Sequence, residues 1–396
     1  MNGRLHVVGA GLAGLACAVA AARSGVRVSL YESAAHAGGR CRSFHDDRLG
    51  CMVDNGTHLV LGANRTALAF AAAIGGLEAM VAAAPVFPFL DLASGERWSM
   101  VAGRLPAGLG ETVAALGLPW CPPGETVAVR LGPAPSYRRL WRPLCEAILN
   151  TGPAEASALL FARTLRTALI HGAKGMRPYL FPLGLSAAFA APAVATLAAH
   201  GAELNFGRRL TRVEDDALRF DDGCVAVAPD DRVVLALPPW ALADVMAGIA
   251  VPPTRAIVNA HFRTGPGAQG FLGLVGGTAQ WLFARGEVVS ATVSNADRLA
   301  ERPAEEIAAT LWADIASALG LSGPIPPYRV LKERRATLAH TPEVVRRRPG
   351  PATKNRRVCL AGDWLAGPWP CTIEAAIASG LDAARLTVGR RDLSFA

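Results

Sequence analysis

Gly9-Ala10-Gly11-Leu12-Ala13-Gly14 is the segment whose residue types and spacing specify chemistry most directly. The first glycine permits a tight turn, and the second lets backbone approach a pyrophosphate. The third lets the following helix pack against the strand, and the helix N-terminus attracts phosphate charge. Glu32 follows Gly14 by eighteen residues, where a second strand would end and a carboxylate could accept from ribose hydroxyls; Ser33 comes next. An acid there favours a ribose without a 2′-phosphate. A glycine-rich turn with no ligand is the competing reading, and strand, helix and acid in register argue against it. FAD and NAD both satisfy this much.

The elements that must position these residues form a β-α-β unit: a strand over Arg4–Val8, a helix over Leu12–Ser24 and a strand over Arg27–Tyr31. Pro85–Pro135 shows little clean periodicity, Trp141–Leu169 and Ala187–His200 have helical spacing, and Glu203–Asp222 reads as two short strands around a turn. Arg232–Leu237 and Arg357–Ala361 read as buried strands, and Thr372–Leu386 as a helix. The fold class predicted is α/β, a Rossmann-like domain of the glutathione-reductase type with an interleaved mixed α+β substrate domain. Residues 1–80, 201–250 and 350–396 are assigned to the first, 81–200 and 251–349 to the second.

Of the 396 residues, 51% are hydrophobic and 18% charged, enough for a large core with apolar material left for a pocket. The net charge of +8 gathers late, at Arg334, Arg335, Arg346, Arg347, Arg348, Arg356 and Arg357. A solvated surface and an anionic membrane leaflet both fit that cluster. Nucleic acid does not, because no aromatic-basic interleaving accompanies it. Eight scattered cysteines without a C-x-x-C pair match neither a disulfide framework nor a metal site, so reduced thiols in the cytoplasm are expected. The glycines within Leu5–Ala22 argue against a signal peptide. Tyr179–Ala199 carries no charge but contains Pro182 and Pro192, which suits a buried helix better than a span, with an interfacial helix as the alternative. A peripheral position on the inner face of the cell membrane is therefore a further expectation.

Gly38-Gly39-Arg40, just after Glu32, resembles a turn carried by flavoproteins of the amine oxidase and carotenoid desaturase superfamily. That resemblance selects FAD, with Arg40 countering pyrophosphate charge. Leu360-Ala361-Gly362-Asp363 resembles the superfamily's Gly-Asp strand end, which implies that Asp363 contacts the ribitol. The helix from Thr372 would then face the flavin pyrimidine, Thr372 serving as N-cap. The same resemblance assigns Gly56, Thr57, His58, Val213, Ile373 and Ala376 to the cofactor's surroundings. No second G-x-G-x-x-G occurs, so an external electron donor is implied.

Several blocks resemble one family within that superfamily, the squalene-associated FAD-dependent desaturases, or hydroxysqualene dehydroxylases of hopanoid biosynthesis. They are Asp54-Asn55-Gly56-Thr57-His58, Leu140-Trp141-Arg142-Pro143-Leu144-Cys145, Leu149-Asn150-Thr151, Ala156-Ser157-Ala158 and Arg335-Ala336-Thr337. Leu360 to Trp364, Thr372 to Ala376 and Ser379-Gly380 complete the set. Thr57 stands where that family usually has Gln, Arg334 where it has Lys, and Leu365 to Pro370 differ from its usual link. The resemblance implies reductive removal of a hydroxyl from a linear C30 isoprenoid, hydride passing from reduced flavin N5 to an allylic centre. A carotenoid- or phytoene-type desaturase is the nearest alternative. A flavin amine oxidase fits less well, since Thr372 stands where an aromatic would cage the amine, and a non-catalytic isoprenoid carrier would have lost the flavin contacts.

His58, Asp54 and Glu374 are the catalytic candidates. Each has a structural reading beside it: His58 hydrogen-bonded beneath the cofactor, Asp54 pinning its turn, Glu374 complementing a helix start. Cys145 reads as a small buried side chain.

Overall fold

Leu5–Val8 buries all four of its side chains, as a central parallel strand must. The computed structural model, which describes residues 3–102, 107–265, 267 and 270–395, places it between Val28–Glu32 and Arg232–Leu235. Glu203–Phe206 and Val358–Leu360 close the two edges, and every pairing is parallel. The strands come from three separated lengths of chain. The sheet is an open α/β arrangement whose carboxyl ends offer a crevice where the connectivity reverses. Glu203–Asp222 differs from expectation. Its first strand extends the parallel sheet, while Leu210–Val213 and Ala217–Phe220 join Gly223–Ala226 in a separate antiparallel sheet.

The helix Leu12–Arg23 is apolar on all sides and buries eleven of its twelve residues. Ile373–Val388 crosses it so closely that a Cβ at Gly380 would fall 2.1 Å from the Ala13 carbonyl oxygen. The π-helical turn Ser186–Ala190 and the helix Ala191–Ala199 join the same core through Ala188, Phe189, Ala193 and Leu197. The end of the 81–200 segment thus packs with the dinucleotide core, and the uncharged stretch buries Phe181, Leu185, Ala188 and Phe189, in line with the buried-helix reading, while Leu183 stays exposed.

Residues 251–349 build most of a seven-stranded mixed sheet, flanked on one edge by Val86–Asp91 and Arg97–Val101. Along Thr254–Arg263, Ala256, Val258, Ala260 and Phe262 pack toward the helix Ala304–Leu319. The alternation of a strand sends Asn259 and His261 to the other face, where they meet Thr292 and Ser290 across the ladder. No helix among the described residues is long and apolar enough to cross a membrane. Several of the late arginines have partners: Arg334 pairs with Glu301 and Arg347 with Glu343 at the surface, Arg335 lies over Trp240, and Arg348 is buried. Arg346 and Arg356 are exposed.

Candidate functional site

The glycine loop is tight on its protein side and open on the other. Gly9 has φ 103°, a left-handed value that favours glycine. A Cβ at Gly14 would fall 1.8 Å from the Gly9 carbonyl oxygen, whereas one at Gly11 would meet nothing within 4 Å. Space is thus left beside Gly11 where the first-turn amides of Leu12, Ala13 and Gly14 lack intrahelical acceptors, as a bound pyrophosphate requires. Glu32 fixes the loop from below. One carboxylate oxygen accepts from the Ala10 amide at 2.7 Å, the other from the Ala34 amide at 2.9 Å and the Ser33 hydroxyl at 3.1 Å. The Gly38 amide donates to Ala10 at 2.8 Å, and a Cβ at Gly39 would stand 3.3 Å from Gly11 Cα, so the Gly-Gly-Arg turn lies against the loop. These residues fit FAD.

The C-terminal motif meets this turn. Arg40 Nη2 donates to Asp363 Oδ1 at 2.7 Å, and Nη1 donates to the Ala336 carbonyl at 2.5 Å. Burial works against the Arg40 charge, and Asp363 outweighs it, so the guanidinium is held protonated. Arg348 donates to the carbonyls of Asp363, Trp364 and Trp369, folding the link that precedes the last helix. The Gly362 amide donates to Ser379 Oγ at 3.0 Å. Thr372 Oγ1 accepts from the Ala375 amide at 3.2 Å, the N-cap its type suggests. Ile373 and Ala376, in the first turn, are half-buried.

His340 ties the Leu149-Asn150-Thr151 block to that link. Its Nδ1 lies 2.6 Å from the Leu149 carbonyl and its Nε2 3.0 Å from the Cys371 amide. A carbonyl only accepts and an amide only donates, so the ring is the neutral Nδ1–H tautomer. Burial pushes its pKa down to about 4. Asn150 itself, with φ 47°, bonds Arg255, Thr337 and Asn295. Cys145 is buried and donates to the Thr151 carbonyl, a structural place.

A cleft beside the Asp54–His58 turn is lined by Asp54, Thr57, His58, His261, Arg285 and Ser290 together with Leu180, Phe181, Pro182, Phe283 and Ala284. Asp54 is not a free base. Oδ1 accepts from Ser43 Oγ at 2.5 Å and the Leu185 amide at 3.0 Å, and Oδ2 pairs with Arg285 at 2.7 Å. His261 accepts from Ser290 Oγ at 2.7 Å and donates to the Asp54 carbonyl at 3.1 Å, and burial lowers its pKa to about 4. Asn259 accepts from Thr292 and lies against Gly56. His58, by contrast, is exposed to the cleft and makes no hydrogen bond among the described residues. Desolvation is the main cause that lowers its pKa, with Asp54 opposing.

Two candidates fall outside this set. Glu374 is buried and accepts from the amides of Thr66 and Ala67 at 3.1 and 2.8 Å, capping the helix Arg65–Ala73. It therefore leaves the catalytic list, because both oxygens are turned into a helix start that has no cap of its own. Val213 lies at the end of its antiparallel strand, beside Val245 and Met246 around a separate hollow that none of the glycine-loop residues line. Its side chain packs against the core cluster that holds Val8 and Tyr31, the strand ends beside the glycine loop and Glu32. Asn259, His261, Arg285, His340 and Arg348 were missed. The alternation through Thr254–Arg263 was the available signal for the first two; nothing local marks the others.

The chain matches the description NAD(P)-binding Rossmann-like domain over residues 7–74 and flavin containing amine oxidoreductase over residues 125–387. It resembles the solved cyclohexylamine oxidase of Brevibacterium oxydans IH-35A with a TM-score of 0.73 at 16% identity, over 98% of this chain and 99% of that one, a likeness of fold. Fold and cradle together define a flavin-dependent oxidoreductase, and FAD is its cofactor. The hydroxysqualene dehydroxylases of Rhodopseudomonas palustris and Sinorhizobium fredii are each 40% identical over 98% of this chain and 99% of their own length. The chain belongs to the hydroxysqualene dehydroxylase family, within the flavin containing amine oxidoreductases.

Proposed function

We propose that the protein removes the hydroxyl of hydroxysqualene to give squalene. The full-length similarity to hydroxysqualene dehydroxylases carries this reading. In the reaction the allylic C–O bond breaks, the oxygen leaves as water after gaining a proton, and a C–H bond forms at the same carbon. Reduced FAD, when bound, supplies the hydride, and an external donor restores it. Among the described residues lining the cleft, His58 is the titratable side chain without a partner; Asp54, Arg285 and His261 are committed to one another or to backbone. His58 is therefore the proton donor of choice. Leu180, Phe181, Pro182, Phe283 and Ala284 supply apolar wall for an isoprenoid and keep water from the developing cation. A cytoplasmic protein that collects its substrate at the membrane surface fits this chemistry.

The test is an anaerobic single turnover. Protein carrying chemically reduced FAD is mixed with hydroxysqualene, and flavin oxidation is followed with squalene by gas chromatography. One squalene per flavin oxidised supports the reading; flavin that stays reduced, or oxidises without squalene, defeats it.

A further inference from the structure

We infer that the outer face formed by the helix Ala158–Ile170, the helix Gly172–Met176 and the neighbouring Leu118–Trp120 loop docks on an anionic lipid bilayer. The inference rests on the proposed substrate, which dissolves in membrane rather than water, and it names the surface that would meet the membrane.

Three observations converge. First, large apolar side chains stand out where a face in water would be polar: Trp120 is 69% exposed and Ile170 78%. They belong to neighbouring elements. Arg130 donates to the carbonyls of Leu118 and Trp120, and a Cβ at Gly117 would come within 3.0 Å of Ala162 Cβ, on the Ala158–Ile170 helix. Second, that helix is two-faced. Leu160, Phe161, Ala162 and Leu165 bury inward, whereas Arg163, Arg166 and Ile170 follow at helical spacing on the other face. Third, the charge has one sign. Residues 158–177 contain no Asp or Glu, and Arg163, Arg166, Lys174 and Arg177 make no ion pair among the described residues. Neighbouring acids are engaged, Glu125 with Arg130 and Glu111 with the Trp141 indole.

Unpaired cations beside exposed tryptophan and isoleucine match the layering of a bilayer surface, anionic headgroups above acyl chains. The chain also leads from this face to the cleft. Pro178–Leu180 follows directly, Leu180, Phe181 and Pro182 line the cleft, and exposed Leu183 comes next.

The test floats the full-length, FAD-loaded protein with phosphatidylcholine vesicles with and without phosphatidylglycerol, at low and high salt. Binding is expected with the anionic vesicles at low salt. An Arg163→Gln/Lys174→Gln variant should partition about thirtyfold less, each lost cation being worth about fivefold. A Trp120→Ser/Ile170→Ser variant should also lose binding, with melting temperature and turnover of detergent-dispersed hydroxysqualene unchanged. Absence of wild-type binding, or variants that float like the wild type, overturns the inference even if squalene is formed. Flotation lost in both variants while no detergent-dispersed substrate is turned over upholds the surface and removes the proposed reaction instead.

Discussion

The two locked histidines make the protein's stability depend on pH in a calculable way. His340 and His261 are buried and held neutral, each with a pKa pushed down to about 4 against 6.5 for an unrestrained imidazole. The unfolded chain therefore takes up their protons first as pH falls. Stability is full above the unfolded value and is lost on acidification through the window from 6.5 down to 4. A shift of that size corresponds to about 3 kcal/mol per histidine once the window is crossed, of which roughly 2 kcal/mol is lost by pH 5. Urea unfolding of the FAD-loaded protein, followed by tryptophan fluorescence at pH 7.5, 6 and 5, measures it. His340→Gln should lower stability at pH 7.5, because the Leu149 and Cys371 hydrogen bonds are disturbed. Its further loss between pH 7.5 and 5 should nevertheless be smaller than the wild type's by roughly 2 kcal/mol. The slope, not the starting stability, is the readout. Equal slopes in the two proteins would refute the assignment of a neutral, hydrogen-bonded imidazole at this position.

His58→Gln should lower squalene formation by a factor on the order of 100 or more while leaving FAD bound, and should flatten an activity profile that falls as pH rises; an unchanged profile removes His58 as the acid. Gly11→Ala should weaken FAD binding in a fluorescence titration with little loss of melting temperature in the FAD-free protein, because the added methyl meets no protein atom within 4 Å, and intact affinity would show that the pyrophosphate lies elsewhere. Glu374→Gln should cost about 1–3 kcal/mol of unfolding free energy by weakening the cap on Arg65–Ala73, with turnover per bound flavin preserved. A large drop in turnover at full flavin occupancy would return Glu374 to the chemistry.

The cofactor half of the molecule was legible because its signals are local. The Gly9–Gly14 loop, the Glu32 strand end, Asp363 and the Thr372 cap each announce themselves by residue type within a few positions, and hydrogen bonds join Glu32 to the loop and Asp363 to Arg40 of the adjoining turn. The family blocks were legible as text but not as geometry. Nothing in Leu149-Asn150-Thr151 says that Asn150 bonds Thr337 and Asn295, or that the Leu149 carbonyl accepts a hydrogen bond from His340. The substrate-side sheet was obscure for a related reason. Its pairings, such as Gly270–Val275 with Val86–Asp91, join distant segments, and its site-facing strands carry Asn259, His261 and Ser290 where a simple core pattern would place apolar residues. Charge misled as well. Arg348 reads as part of a surface cluster, yet three backbone carbonyls hold it inside. Burial of a cation is decided by the acceptors folding delivers, which no composition reveals.

An equilibrium FAD titration of the wild-type and Asp363→Ala proteins most directly tests whether the two ends of the chain hold one flavin between them. The wild type should bind one FAD per chain. Removing Asp363, which anchors Arg40 of the N-terminal turn, should weaken that binding by about tenfold or more, ~1.4 kcal/mol. Wild-type affinity in the variant, or a wild type that takes up no FAD, would contradict the clasp on which the site and its chemistry depend.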